Sequence, residues 1–158
     1  MLLYEATFAE LDAHTLYALL RLRTDVFVVE QQCPYPELDG RDEEPLTRHL
    51  WLAPADARTD PHAYLRLLTD QDGTAPGGTA PGGTARIGRV CTAAKARGAG
   101  LAGQLMAAAL RHVGERPCVL EAQSYLVAFY QTFGFTVAGP EYVEDGIPHV
   151  PMHRIADH

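Results

Sequence analysis

The fold of this chain is decided at Arg97-Gly98-Ala99-Gly100-Leu101-Ala102. The stretch follows a predicted strand, 85–92, and precedes a predicted helix that begins at about Gly100. Glycine lets the backbone approach an anion closely, and the first amides of a helix have no partner inside the helix. The helix dipole adds partial positive charge at the same end, and Arg97 adds a full charge. The stretch therefore predicts a phosphate-binding loop.

Gly98 to Gly103 also match the G-x-G-x-x-G fingerprint of dinucleotide-binding folds, and Glu121 lies near the position of their ribose-binding acid. Such a fold needs its first glycine directly after the strand and further βαβ units around it. Here five residues, 93–97, intervene. No helix is predicted between the strands 63–68 and 85–92, which favours an antiparallel hairpin. A dinucleotide-dependent oxidoreductase is therefore the weaker interpretation.

The composition is that of one globular domain, since 158 residues are enough to bury a core. Hydrophobic residues make up 47 %, and no apolar run approaches the length of a membrane span, so no membrane partner is expected. The formal net charge of −7 argues against a nucleic acid partner. Glu5 interrupts the apolar start of the chain, so no secretory signal is predicted. Three cysteines without CxxC spacing indicate reduced thiols and a cytoplasmic protein.

Hydrophobic periodicity predicts a mixed sheet with helices on both faces. The predicted helices are one capped by Asp12, one after the glycine loop, and one from Ser124 to about Phe133. The predicted strands are 2–8, 48–52, 63–68, 85–92, 118–121, 136–143 and 148–155. A Gly-Thr-Ala-Pro-Gly repeat within 72–85 is too small and too rich in proline and glycine to pack, and it predicts a flexible loop.

A second motif, Phe129-Tyr130 followed by Gly134-Phe135, ends the helix predicted after the fifth strand. Together with the pattern Arg97-x-x-Gly100-x-Ala102, it resembles the GNAT superfamily of N-acetyltransferases. Other segments are similar to the ElaA-like branch of that superfamily and span nearly the whole chain: 23–31, Cys33-Pro34-Tyr35, Asp39-Gly40, Arg48-His49 and 144–149. The five-residue repeat departs from that branch.

The resemblance implies a single domain, 1–158, with a mixed, mostly antiparallel sheet of six to seven strands. It implies an enzyme that moves an acetyl group from acetyl-CoA to a small-molecule or peptide amine by direct transfer in a ternary complex. A non-catalytic acyl-CoA-binding module of the same fold is the alternative. The amides of Gly98 to Ala102 and the Arg97 guanidinium would hold the pyrophosphate. The strand edge formed by Val90, Cys91 and Thr92 would pair with the pantetheine amides.

The resemblance also assigns Tyr130 as the acid that protonates the departing thiolate, a role that suits a phenol because it stays protonated at neutral pH. The amine must lose a proton before it attacks, so a base is needed as well. Three residues are candidates. Glu121 ends the fifth predicted strand beside the expected cleft, while Glu30 and His149 belong to branch-like segments.

Five carboxylates fall within the eight residues 37–44, relieved only by Arg41. Such a run predicts a solvated loop, although a cationic acceptor would be drawn to it. His149 and His153 are four apart, but prolines flank them in an extended segment, so no metal site is expected. The sequence does not identify the acceptor amine, and it leaves open whether two chains form a homodimer.

Overall fold

The computed structural model describes residues 1–71 and 82–155. Its helices are α1 (Ala13–Thr24), α2 (Leu101–Val113) and α3 (Val127–Gln131). Its strands are β1 (Leu2–Ala6), β2 (Arg48–Ala53), β3 (Ala63–Asp70), β4 (Thr84–Thr92), β5 (Cys118–Gln123), β6 (Thr136–Val137), β7 (Tyr142–Glu144) and β8 (Ile147–Arg154).

These strands form one sheet in the order β1-β2-β3-β4-β5-β8-β6, and β7 also pairs with β8. Only β4 and β5 are parallel, which confirms the mixed, mostly antiparallel sheet. The sheet has eight strands because the predicted strand 136–143 is interrupted at Gly139-Pro140, where proline has no N–H to donate. The antiparallel β3–β4 hairpin removes the βαβ geometry that a dinucleotide fold requires.

Both faces of the sheet are covered, as β2 illustrates. Leu50 and Leu52 point to the core that contains α2, whereas Trp51 and Ala53 point to the core that contains α1. Successive residues of a strand face opposite sides, so a strand buried on both faces is apolar throughout. Each fully buried leucine of this kind contributes about 2 kcal/mol to folding.

The first helix begins as predicted, because the Asp12 carboxylate accepts a hydrogen bond of 2.7 Å from the amide of Thr15. It continues directly into a π-helical turn, Asp25–Glu30. Wide turns of this type are frequent at functional sites. Here the turn brings Glu30 to the carboxyl end of β4, where it meets Arg97.

The second helix also matches its prediction, with Leu101, Leu105, Ala109 and Val113 buried in one stripe. The prediction for the third helix was wrong in length. A 3-10 turn, Ser124–Leu126, precedes the five residues of α3. Ser124 does not cap the helix, because its hydroxyl donates instead to Glu141 at 2.7 Å.

The predicted flexible loop at 72–85 lies mostly outside the described residues. Thr84 was assigned wrongly, because it is a buried member of β4 that pairs with Asp70, and Ala85, which the predicted loop and the predicted strand 85–92 shared, belongs to the strand. None of the helices in the described ranges is both long and apolar enough to cross a membrane.

Candidate active site

A cleft opens where β4 and β5 separate. The two strands are paired only at Ala85 with Cys118 and at Arg86 with Val119. Beyond these two rungs the strands diverge, and a cavity of about 610 Å³ lies between them. The wall of the cavity is completed by the π-helical turn, α3 and the start of β8. A cleft therefore interrupts the sheet above the packed lower parts of β4 and β5.

A bulge in β4 shapes one side of this cleft. Tyr64 of β3 pairs with Cys91, but Arg66 pairs with Gly88, so two β4 residues oppose the single Leu65. Arg89 has a φ of +53°, a left-handed conformation that is uncommon for residues other than glycine. A bulge leaves one residue out of the ladder and re-aims its neighbours. The bulged residues here, Arg89 and Val90, both line the cleft.

The edge of β4 that the sequence predicts for pantetheine lies open at its carboxyl end. Cys91 and Thr92 pair with Tyr64 and Ala63 of β3 on one side. On the other side, no strand in the described part of the chain pairs with Val90, Cys91 or Thr92. All three line the cleft. Their outer edge can accept an extended ligand as an added strand.

The glycine loop stands at the end of the same strand. Gly98 and Gly100 have φ values of +88° and +74°, which explains why glycine occurs at both positions. Gly98, Ala99 and Gly100 are exposed, whereas the Leu101 side chain packs in the core and Ala102 lines the cleft. The first amides of α2 lack intrahelical partners by geometry. The loop therefore offers N–H groups beside the cleft.

Arg97 lines the cleft, and two of its three guanidinium nitrogens are already engaged. Its Nη2 donates to Glu30 at 2.6 Å, and its Nε donates to the Thr92 carbonyl at 3.2 Å. Both side chains of the Arg97–Glu30 pair are close to half exposed. The sequence predicted Arg97 and Glu30 for separate roles, and it did not predict that they form an ion pair.

Glu121, the second candidate base, is also engaged. The Tyr142 hydroxyl donates to its Oε2 at 2.7 Å, and Arg86 lies 3.8 Å from its Oε1. Burial, followed by the bond to Glu121, raises the pKa of Tyr142, so the phenol remains a donor. Glu121 thus belongs to a hydrogen-bonded group on one wall of the cleft.

His149 is arranged differently from the two glutamates. Its Nδ1 lies 2.8 Å from the Ile147 carbonyl, and its ring stacks on Tyr142 with centroids 5.7 Å apart. Because a carbonyl only accepts, Nδ1 carries the hydrogen and Nε2 of the neutral ring keeps its lone pair. Among the residues that the structure describes, none bonds to Nε2. The ring lines the cleft.

Tyr130 also lines the cleft, although only 6 % of the residue is exposed. Phe129 and Phe135 pack edge-on against its ring. Within residues 1–71 and 82–155, its hydroxyl has no hydrogen-bond partner, although a buried tyrosine hydroxyl usually has one. Burial raises the pKa of Tyr130 to about 12, so the hydroxyl stays protonated at neutral pH.

The acidic run 37–44 is not the solvated loop that the sequence predicted. Glu37 and Asp42 are buried, and each lies 2.6 Å from the guanidinium of Arg23, which is completely buried. A charge can be buried only with a partner, so an arginine at a buried position of a helix needs carboxylates. Arg23 within the apolar stripe of α1 was the sequence signal for this network, and it was missed.

The same network forms a wall of the cleft. Arg66 binds Asp39 at 2.8 Å, Arg89 binds Glu37 at 2.8 Å, and both arginines line the cavity. Burial alone would raise the pKa of Asp42, but hydrogen bonds and charge from Arg23 and Arg66 outweigh it and hold that pKa below its ordinary value. Within the residues that the structure describes, four of the five carboxylates of the run, all except Glu43, are therefore held in ion pairs with arginines rather than solvated.

No group of three or more His, Cys, Asp or Glu side chains in the described ranges could hold a metal ion. His49, a further buried histidine, lies 2.6 Å from the Tyr64 hydroxyl and 3.2 Å from the Asp42 carbonyl. Burial lowers the pKa of His49, so the ring is a neutral member of the buried network.

Comparison with known proteins agrees with this geometry. The sequence model of the acetyltransferase (GNAT) domain family matches residues 48–156 of this chain. A UPF0039 protein of Mycobacterium tuberculosis is 50 % identical over 145 residues, which cover 92 % of this chain and 87 % of that protein. Protein ElaA of Escherichia coli is 41 % identical over 150 residues, which cover 92 % of this chain and 91 % of ElaA.

Solved structures give the same result. The crystal structure of an acyl-CoA N-acyltransferase from Pseudomonas aeruginosa superposes with a TM-score of 0.84 at 39 % identity, covering 98 % of this chain and 99 % of that one. The crystal structure of Escherichia coli ElaA superposes with a TM-score of 0.82 at 38 % identity, covering 97 % and 98 %.

Proposed function

This chain belongs to the GNAT acetyltransferase family, and on that premise we propose that it moves an acetyl group from acetyl-CoA to a primary amine by direct transfer in a ternary complex. The family and its solved relatives support an acyl-CoA-dependent acyltransferase. That the acyl group is acetyl, that the acceptor is an amine, and which residues carry the reaction are our proposal.

One observation carries it: Tyr130 and His149 line the same cleft, and no described residue bonds to the Tyr130 hydroxyl or to Nε2 of His149. A tyrosine hydroxyl can give a proton, and the Nε2 atom of a neutral imidazole can take one. The transfer needs both steps, one at the attacking amine and one at the leaving thiolate.

The cleft also fits the shape and chemistry of a CoA thioester. The open edge of β4 suits the two amides of pantetheine, and the amides of the glycine loop suit the pyrophosphate. When bound, the thioester supplies an activated carbonyl. The Arg97 guanidinium lies close to the loop, and while Nη2 binds Glu30 it offers a phosphate fewer donors than a free arginine would.

His149 is the base in this proposal. Its Nε2 accepts a proton from the amine, whose nitrogen forms a bond to the carbonyl carbon as the carbon–sulfur bond breaks. The Ile147 carbonyl holds Nδ1–H, so the ring keeps the tautomer that the step needs. Tyr130 gives its proton to the departing sulfur and regains one from solvent.

The β4 bulge supports the transfer as well. Negative charge develops on the thioester oxygen as the amine attacks, and a fixed backbone N–H close to that oxygen stabilises it. A bulge takes one residue out of the ladder. We assign this role to the backbone at Arg89–Val90, which lines the cleft.

The test is thiol release from acetyl-CoA with a panel of primary amines, together with calorimetry of acetyl-CoA binding. We expect binding, and we expect release of CoA only when an accepted amine is present. His149→Gln should keep acetyl-CoA affinity and lower turnover about 10²-fold or more, because it removes the base. Acetyl-CoA binding without release across the panel would support the non-catalytic module instead, and absence of binding would refute the proposal.

A further inference from the structure

Among the described residues, most charged side chains that line the cleft form ion pairs, and the two carboxylates that do not are neighbours in the chain. Each of the four arginines that line the cleft is within 2.8 Å of a carboxylate: Arg66 with Asp39, Arg86 with Asp70, Arg89 with Glu37, and Arg97 with Glu30. Two lining carboxylates, Glu144 and Asp145, form no ion pair or side-chain hydrogen bond in the described part of the chain. The cleft therefore has a net negative end.

These two residues lie on the turn between β7 and β8. Asp145 and Gly146 have φ values of +51° and +78°, the backbone of a tight two-residue hairpin. The Sγ of Cys33 donates to the Asp145 carbonyl at 3.5 Å, which ties the turn to the segment after α1. Burial and the negative charges of Asp145 and Glu144 raise the pKa of Cys33, so their field reaches the cleft wall.

The hairpin register relates the turn to the base. Tyr142 pairs with His149, and Glu144 pairs with Ile147. Ile147 and His149 are two apart on β8, so Glu144 and His149 lie on the same face of the hairpin, about 7 Å apart along the strand. Tyr130, more than nine-tenths buried, lines this same cleft with an unpartnered hydroxyl among the described residues. The carboxylates thus belong to a cleft that also presents a donor and an acceptor to a ligand.

We propose that Glu144 and Asp145 bind a second positive charge of the acceptor, so the substrate class is a diamine or another amine with a further cationic group a few bonds away. This inference rests on the proposed function. The amine that attacks must be neutral when it reaches the carbonyl, so it gains little from fixed carboxylates. A second ammonium stays charged, and the turn offers it two carboxylates at the distance that the hairpin sets.

Matched substrates test this. Butylamine and 1,4-diaminobutane have the same carbon chain and differ in the second amine. We expect the parent to have a lower KM for the diamine. In the double variant Glu144→Gln/Asp145→Asn, the KM for the diamine should rise about fivefold at low salt, with the KM for butylamine unchanged. Asn-Gly favours the same turn as Asp-Gly, so the hairpin is retained.

The control is Glu43→Gln/Glu115→Gln, which removes the same net charge from two exposed residues that do not line the cleft. It should leave both KM values unchanged. Equal KM values for the two amines in the parent, or equal rises for both amines in the turn variant, would overturn the inference while leaving the proposed function intact. A rise in the control equal to that in the turn variant would also overturn it. Absence of thiol release with every amine would overturn the proposed function and this inference with it.

Discussion

Glu30 and Arg97 illustrate how a single contact changes the assignment of two residues. By sequence, one is a candidate base and the other a phosphate ligand, yet they bond to each other at 2.6 Å beside the glycine loop. A carboxylate that holds a guanidinium is a poor base for the amine, and a guanidinium so held has one arm fewer for a phosphate. We therefore expect the pair to affect acetyl-CoA affinity rather than proton transfer.

We expect Glu30→Gln to raise acetyl-CoA affinity about threefold, because an exposed ion pair of this kind is worth up to about 1 kcal/mol. Turnover should be preserved. Calorimetry and steady-state kinetics measure the two effects. Asp25→Asn, in the same π-helical turn but outside the cleft, is the control and should change neither quantity. A fall in kcat of about 10²-fold in Glu30→Gln would identify Glu30 as the base instead.

Tyr130→Phe removes one hydroxyl and keeps the ring that packs on Phe129 and Phe135. We expect acetyl-CoA affinity and stability to be retained and kcat to fall about 10²-fold, because the thiolate then leaves without a proton donor. Tyr125→Phe is the matched control, since Tyr125 lines the same cleft but is 77 % exposed. Unchanged kcat in Tyr130→Phe, with chemistry limiting the rate, would make Tyr130 a packing residue.

Among the elements, α2 could be predicted well from the sequence and α3 could not. Leu101, Leu105 and Ala109 repeat at helical spacing, and the glycines before them mark the start. The segment after β5 also begins with a good capping residue, but Ser124 bonds to Glu141, which lies on a distant part of the chain. Local signals do not report such a competitor, and the helix starts three residues later.

Gly100 in the loop and Gly103 in the first turn of α2 differ in a way that mutation can measure. Gly100 has a φ of +74°, so an alanine there is strained by about 1 kcal/mol. Gly103 is inside α2, and an added Cβ would meet Phe133 at 3.8 Å, an ordinary contact. We expect Gly100→Ala to lower both stability and acetyl-CoA affinity. Gly103→Ala should keep affinity and raise the unfolding free energy by up to about 1 kcal/mol. Urea unfolding measures the stability of the two variants, and calorimetry measures their acetyl-CoA affinity. Equal effects of the two substitutions would contradict the assignment of Gly100 to the binding loop.

At the scale of the whole molecule, the sheet and its covering helices followed from periodicity, whereas the buried ionic network did not. Arg23 and Asp42 are 19 residues apart, and nothing local pairs them. The density of acids in 37–44 predicted exposure because most such runs are solvated. Only the folded chain brings Arg23 of α1 and Arg66 of β3 together with their carboxylates in one buried group.

This network makes stability depend on pH. The folded pKa of Asp42 lies below its ordinary value of 3.8, so its contribution to stability is present above pH 3.8 and is lost as the pH falls from there through the lower folded pKa. We expect Asp42→Asn to cost about 3 kcal/mol at pH 7, because it leaves Arg23 with less compensation in a buried site. The difference from the parent should shrink as the pH falls below 3.8. Urea unfolding across pH measures it, with Glu43→Gln as an exposed control that should stay close to the parent throughout. A difference independent of pH would argue against an ionised Asp42.

The short pairing between β4 and β5, only two residue pairs long, also has a consequence for the kinetics of folding. On one side of it β2, β3 and β4 pair in chain order, and on the other side β5 to β8 pair among themselves within residues 118–154. Each half can gain most of its contacts without the other, so we expect the halves to dock late in folding. The cleft exists only after docking.

Acetyl-CoA should then leave the refolding rate of the chain unchanged and slow its unfolding, because a ligand absent from the transition state stabilises only the native side of the barrier. Stopped-flow refolding and unfolding with and without acetyl-CoA would measure both rates. Faster refolding with ligand would mean that β4 and β5 pair early in folding.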